Sequence, residues 1–185
     1  MSDIAEAKRA ALSPVWTEVR ILAAEEAERE RTALAEILAD CVAGGASVTF
    51  MAPFSVADAH RWWGGVIESV AADRTVLFGA YRNGALYGTV QLGLDGPCNQ
   101  RHRGDVKKLL VHRRARGLGL GAALMGSLET EARRRNLSLL TLDTAGAEAE
   151  RLFRRLGYTE AGVIPRYAMW PDGRFCDTTI FWKAL

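Results

Sequence analysis

The chain has 185 residues, 49% of them apolar and 25% charged, with a formal net charge of +2. These values suit one globular domain that buries its own core, and they exclude a chain too polar to fold. No stretch is apolar enough to span a bilayer, and the start Met1-Ser2-Asp3-Ile4-Ala5-Glu6 lacks the basic and apolar run of a secretory leader. Cys41, Cys98 and Cys176 stand far apart and form no CxxC pair, which is the wrong arithmetic for a disulfide framework or a metal site. A reducing, cytoplasmic setting without membrane partners is the expectation.

Residues 1–14 are rich in alanine and polar residues up to Pro14, and read as a loosely held tail. Val15, Thr17, Val19 and Ile21 alternate with period two, which predicts a strand over 15–22. The stretch that follows, up to about Val42, carries Leu34, Ile37, Leu38 and Cys41 at helical spacing and predicts an amphipathic helix stopped by Gly44-Gly45. Ser55 is placed to cap a second helix containing Trp62 and Trp63. Strands over 75–82 and 86–94 flank Asn83-Gly84, a strong hairpin signal. A polar loop leads to a strand over 105–111, then a glycine loop, a helix at about 118–135, a strand over 137–143 and a helix at about 147–156. Two more strands, joined by the turn Pro171-Asp172-Gly173-Arg174, close the chain. The pattern is mixed α/β: antiparallel first, one parallel crossover in the middle, antiparallel last.

The segment Arg116-Gly117-Leu118-Gly119-Leu120-Gly121 lies between a buried strand and a helix. Alternate glycines let the backbone approach a ligand closely and adopt positive φ. The free N–H groups and dipole of the helix N-terminus then favour an anion such as a diphosphate. Arg116, with Arg113 and Arg114, adds positive charge for phosphate. Other readings compete with this one. The glycines could only shape a tight turn beside a solvated arginine face. Gly117-x-Gly119-x-x-Ala122 also fits a relaxed dinucleotide-binding pattern, with Asp143 at the end of the next strand. Against that fold, only about 40 residues follow Asp143, and they carry a hairpin where further βαβ units would be needed. A P-loop is excluded because no Lys-Ser or Lys-Thr follows the glycines. The basic residues here lack interleaved aromatics, which argues against nucleic acid.

Arg-x-x-Gly-x-Gly between strand and helix resembles the pyrophosphate loop of the GNAT acetyltransferase superfamily, and the element order from about residue 15 onward is similar. Gly44 to Met51, Leu142-Asp143-Thr144 and Pro171 to Arg174 resemble, more narrowly, the tabtoxin-resistance type. The resemblance implies a GNAT-like, mostly antiparallel sheet with a central parallel strand pair, and acetyl-CoA as co-substrate in the cleft where two strands part. It also implies cofactor contacts from Leu110, Val111, Arg116, Gly117, Leu118, Gly119, Leu120 and Gly121. Phe50, Trp62, Trp63 and Asp143 would line the acceptor side. Many members place a tyrosine on the last helix as general acid; here that position is Phe153, which shares an apolar face with Ala149, Leu152 and Leu156.

The implied reaction is transfer of an acetyl group to a primary amine of a small or peptide-like molecule. A toxin-resistance role fits the subgroup; a non-catalytic acyl-CoA sensor is the rival that Phe153 suggests. A lysine-like amine with pKa ~10.4 is neutral in only about 0.1% of molecules near pH 7.4, so a base is worth up to ~10³-fold. A thiol with pKa ~8.5 leaves readily without an acid. Asp105 is the first candidate base and Asp143 the second, either of which could instead be structural, Asp105 by pairing with Arg103 or Lys107 and Asp143 by capping a helix. His102 is a further possible relay, and Tyr167, ahead of Tyr158, is the candidate acid. Two adjacent helical tryptophans cannot both face one core, so a ligand or homodimer contact is open for one of them.

Overall fold

The computed structural model describes residues 17–185; the predicted tail over 1–14 and residues 15–16 of the first predicted strand lie outside the described residues. Strand β1 (Thr17–Leu22) pairs antiparallel with β2 (Thr75–Arg82), and β2 with β3 (Ala85–Gly93). The turn between β2 and β3 holds Asn83 at φ 50° and Gly84 at φ 79°. Two left-handed residues in succession are what a two-residue hairpin turn requires, and Asn-Gly adopts them at least cost. β3 pairs antiparallel with β4 (Arg103–Val111), and β4 pairs in parallel with β5 (Leu139–Thr144). β6 (Thr159–Met169) and β7 (Phe175–Ala184) form the closing hairpin, with β7 next to β5, giving the order β1-β2-β3-β4-β5-β7-β6. One parallel pair inside an antiparallel sheet is incompatible with a doubly wound dinucleotide fold, which needs successive parallel crossovers.

Helices cover both faces. α1 (Ala24–Arg29), α2 (Arg31–Ala43) and α3 (Val56–Ala71) bury Leu34, Ile37, Leu38, Trp63 and Ile67 against Leu22, Leu77, Tyr81 and Leu110 of the sheet. On the other face, α4 (Leu120–Arg134) and α5 (Ala147–Arg155) pack Leu124, Met125, Leu128 and Phe153 against Phe78, Val90, Leu140 and Phe181. Among the described residues, no helix is long and apolar enough to cross a membrane.

Two expectations are corrected by tertiary contacts. The single helix predicted before Gly44 is two, broken at Glu30 (φ −89°, ψ 2°). Both sides of the break are tied elsewhere: Tyr81 donates to Glu30 Oε1 at 3.1 Å, and Arg31 Nε donates to the His60 carbonyl at 2.8 Å. α3 begins as predicted, with the Ser55 hydroxyl accepting from Asp58 N and Asp58 accepting from Ser55 N. Its two tryptophans then diverge. Trp63 is fully buried in the core, whereas Trp62, one position back on the helix, is only partly covered. Trp63 is therefore not a substrate-lining residue, because successive helical side chains point about 100° apart. Trp63→Ala is expected to cost about 3–5 kcal/mol, whereas Trp62→Ala costs less than about 1.5 kcal/mol. Urea denaturation of the two variants checks this; equal losses would contradict the packing described.

Candidate active site

The site starts from an interruption in the sheet. β4 and β5 pair only through Arg103–Leu139, Gly104–Leu140 and Asp105–Thr141, although β4 runs on to Val111. Beyond Asp105 the two strands part, so the β5-facing edge of β4 has no strand partner and a cleft opens at the centre of the sheet. Leu110 and Val111 lie on this free stretch, with Leu110 buried. The Val111 carbonyl accepts from the Cys41 thiol at 3.6 Å and from Arg116 Nε at 3.3 Å.

The glycine loop stands at the mouth of the cleft. Gly117 (φ 74°) and Gly119 (φ 82°) are both left-handed, and a Cβ added at either would project into open space. Gly119 is the N-cap of α4, and the first intrahelical bond runs from Ala123 N to its carbonyl at 3.0 Å. Helix geometry leaves the N–H groups of Leu120, Gly121 and Ala122 free and aimed out of the helix. A Cβ at Gly121 would come within 3.1 Å of Leu152, so this glycine also lets α4 approach α5. The arginines divide their work. Arg113 is committed to Asp40 of α2, through its backbone N at 2.8 Å and its Nε at 2.9 Å, which anchors the loop to the helix layer. Burial works to raise the Asp40 pKa, but these bonds and the nearby charges of His112 and Arg113 hold it below the ordinary carboxylate value. Arg114 and Arg116 are exposed beside the loop, Arg116 with its Nε on the Val111 carbonyl and its guanidinium 3.9 Å from Glu148.

The face covered by α2 and α3 carries most of the remaining sequence candidates. Asp105 lies at the last paired position, where its carboxylate is held by Arg103 and accepts from the Thr141 hydroxyl at 2.6 Å. Arg103 is itself bonded to Gln100 and Thr141. Asp143 lies beyond the fork on β5, exposed, on the same strand face as Thr141, since Leu140 and Leu142 point into the opposite core. The two candidate carboxylates therefore differ in kind: one is locked into a network and the other is open. Phe50 stacks on Phe54 at 4.4 Å between ring centroids and meets Trp62 edge-on at 5.4 Å, making an aromatic wall. Tyr167 sits in an irregular stretch of β6, between Ile164 and Ala168, and is 58% exposed.

Phe153 is buried between Tyr158 and Phe181, with ring centroids 5.7 and 6.0 Å away. Tyr158 is buried with it, and burial, with Glu129 adding to the effect, pushes its phenol well above the ordinary tyrosine value. It stays protonated and packed in the core.

Lys108 was not marked by the sequence. It occupies a bulge: Lys107 faces Gln91 and Leu110 faces Thr89, so two residues of β4 oppose Val90 alone. Lys108 has φ 52°, which turns its side chain toward the aromatic wall. Its Nζ donates to Thr49 Oγ1 at 2.7 Å and lies 5.9 Å and 5.7 Å from the ring centroids of Phe50 and Trp62. Burial pulls its ammonium below the ordinary lysine value; Asp143 opposes that shift and Lys107 adds to it. Thr49 is also left-handed, at φ 89°. Such conformations cost about 1–3 kcal/mol each in non-glycine residues and gather at ligand sites.

Comparison with known proteins decides the family. Residues 33–158 match the model described as the acetyltransferase (GNAT) family. The chain belongs to the GNAT acetyltransferases. Members of this family take their acetyl group from acetyl-CoA, and the cleft, free helix N-terminus and left-handed glycines suit its pantetheine and diphosphate. An IAA acetyltransferase of Azospirillum brasilense is 32% identical over 100 residues, which is 53% of this chain and 63% of that protein. The matched region thus spans less than two thirds of that relative. Among solved structures, a ribosomal-protein-alanine N-acetyltransferase of Brucella melitensis is 24% identical with TM-score 0.76, covering 91% of this GNAT chain and 99% of its own. An acetyltransferase of Salmonella typhimurium, solved with its cofactor acetyl-CoA, is 22% identical with TM-score 0.75, over 91% of this chain and 94% of its own. At these identities the likeness is one of fold.

Proposed function

We propose that this GNAT chain transfers an acetyl group from acetyl-CoA to the primary amine of a small or peptide-like molecule by direct attack. The observation that carries the reading is the fork between β4 and β5 beside the glycine loop. A thioester held along the free edge of β4 would meet backbone N–H groups near Leu110 and Val111, suited to polarise its carbonyl. The amine would approach from the α2–α3 face. Asp143 is open on that face and is the better placed group to take the amine proton, while Asp105 fixes Arg103 and Thr141 at the fork. Bound acetyl-CoA supplies an activated acyl group on a thiol of low enough pKa to leave unaided, so Phe153 in place of an acid does not argue for a silent acyl-CoA sensor. Tyr167, exposed on β6, is kept as a rim residue. The narrower likeness to the tabtoxin-resistance type favours an amine-bearing antimetabolite as acceptor.

Thermal unfolding with acetyl-CoA, CoA, NADH and NADPH tests the cofactor. At about 100 times Kd a ligand adds about 2.7 kcal/mol, or roughly 5–10 °C for a domain of this size. A rise with acetyl-CoA and CoA alone is the expected result; a rise with the nicotinamide cofactors alone would overturn it. A panel of amines, followed by thiol release, then identifies the acceptor.

A further inference from the structure

Lys108 is a cation in an aromatic corner of the acceptor face, held by one hydrogen bond and by the faces of two rings, with donors left over. An ammonium has three N–H donors, and one of them is used, on Thr49 Oγ1 at 2.7 Å. Among the described residues no carboxylate lies within ion-pair distance of it, although Asp143 is close enough to act on it electrostatically. Its other neighbours are the rings of Phe50 and Trp62. Two non-glycine residues, Thr49 and Lys108, hold left-handed backbones and are joined by this one hydrogen bond. Two further polar atoms on the same sheet face are buried without a protein partner: Gln91 Nε2 and Thr89 Oγ1, on the β3 positions that flank the bulge. Thr89 and Gln91 alternate with Val90 and Leu92, which point into the opposite core, so both face the α2–α3 side.

A desolvated cation with unused donors is stabilised by an anion, and strongly so when that anion accepts hydrogen bonds from it. The fork meanwhile leaves Asp143 free to meet a positive or amine group. We propose that the acceptor carries an anionic group, a carboxylate in the first instance, beside its amine, and that Lys108 is the residue that receives it. The acceptor is then of amino-acid type: its carboxylate meets Lys108, its amine lies toward Asp143 and the thioester, and its side chain lies against Phe50, Phe54 and Trp62. Lys108 is a specificity residue in this scheme and does not take part in proton transfer. The inference rests on the reading of the cleft as a site of amine acetylation.

The test is steady-state acetylation of the protein amino acids, each beside its own carboxamide, by the wild-type chain and by Lys108→Met and Lys108→Arg. Acetyl-CoA binding is measured calorimetrically on all three proteins to show that each folds and loads. For the wild type, kcat/KM for the best amino acid should exceed that for its carboxamide by at least about tenfold. Lys108→Met should abolish that preference, mainly through KM, and Lys108→Arg should keep most of it, because a guanidinium also binds carboxylate. A wild type that prefers carboxamides or simple amines overturns the proposal and leaves amine acetylation standing. So does a Lys108→Met variant that loses kcat equally on both members of each pair, since that places Lys108 in the chemistry. A protein that binds acetyl-CoA but acetylates no amine of either kind overturns the amine reading, and this inference falls with it.

Discussion

Replacing Gly117 and Gly119 together by alanine is expected to weaken acetyl-CoA binding about 30- to 1000-fold. Both residues sit at φ values that L-residues rarely hold, 74° and 82°. Each alanine would add about 1–2 kcal/mol to the loop conformation that points the α4 N–H groups outward. Two such penalties correspond to roughly 30- to 1000-fold in an equilibrium constant. The loop has two ways to respond. It can keep its shape and lower the stability of the fold, or relax and lose the anion site. Nothing crowds a Cβ at either position, and both residues are exposed, so nothing nearby forces the loop to hold its shape. Binding should therefore suffer more than folding. Calorimetric titration with acetyl-CoA, together with thermal unfolding of the free protein, separates the two responses. A Kd within about threefold of wild type would mean that this loop does not hold the diphosphate.

Asp143→Asn is expected to lower kcat/KM by about 10- to 1000-fold near pH 7.4, with acetyl-CoA affinity little changed. The upper bound is the fraction of a lysine-like amine that is neutral at that pH, about 0.1%. The deficit should shrink as pH rises toward 10, because the free amine then needs no base. Asp105→Asn is the necessary companion. Its carboxylate already accepts from Arg103 and Thr141, so its loss should disturb the fork and reduce stability while leaving turnover within about fivefold. Turnover of both variants with a common amine, normalised to folded protein, decides between them. A collapse of turnover in Asp105→Asn with Asp143→Asn unaffected would return the proton-accepting role to Asp105.

Most of the architecture was legible in the chain because its signals are local. Asn83-Gly84 dictates a left-handed two-residue turn, Ser55 and Asp58 form a capping box, and alternation marks the sheet. The glycine loop was legible for the same reason: positive φ next to a helix start is a property of a few adjacent residues. The break at Glu30 was not, since its ties are to Tyr81 and His60, far along the chain. Trp62 and Trp63 could be known to diverge, but not which one faced inward.

The chemistry of the acceptor side depended on long-range placement. By sequence Asp105 and Asp143 are alike, two acids near strand ends; the fork falls between them, and only one keeps its carboxylate free. Lys108 carried no signal at all, because its position is set by a bulge against β3 and by Thr49, 59 residues away along the chain. By itself the sequence determined a single mixed sheet with a glycine loop at a helix start, because turns, caps and alternation are decided within a few residues. Which charged groups are free to act was decided only by the tertiary structure, because burial and pairing depend on what distant strands and helices bring alongside.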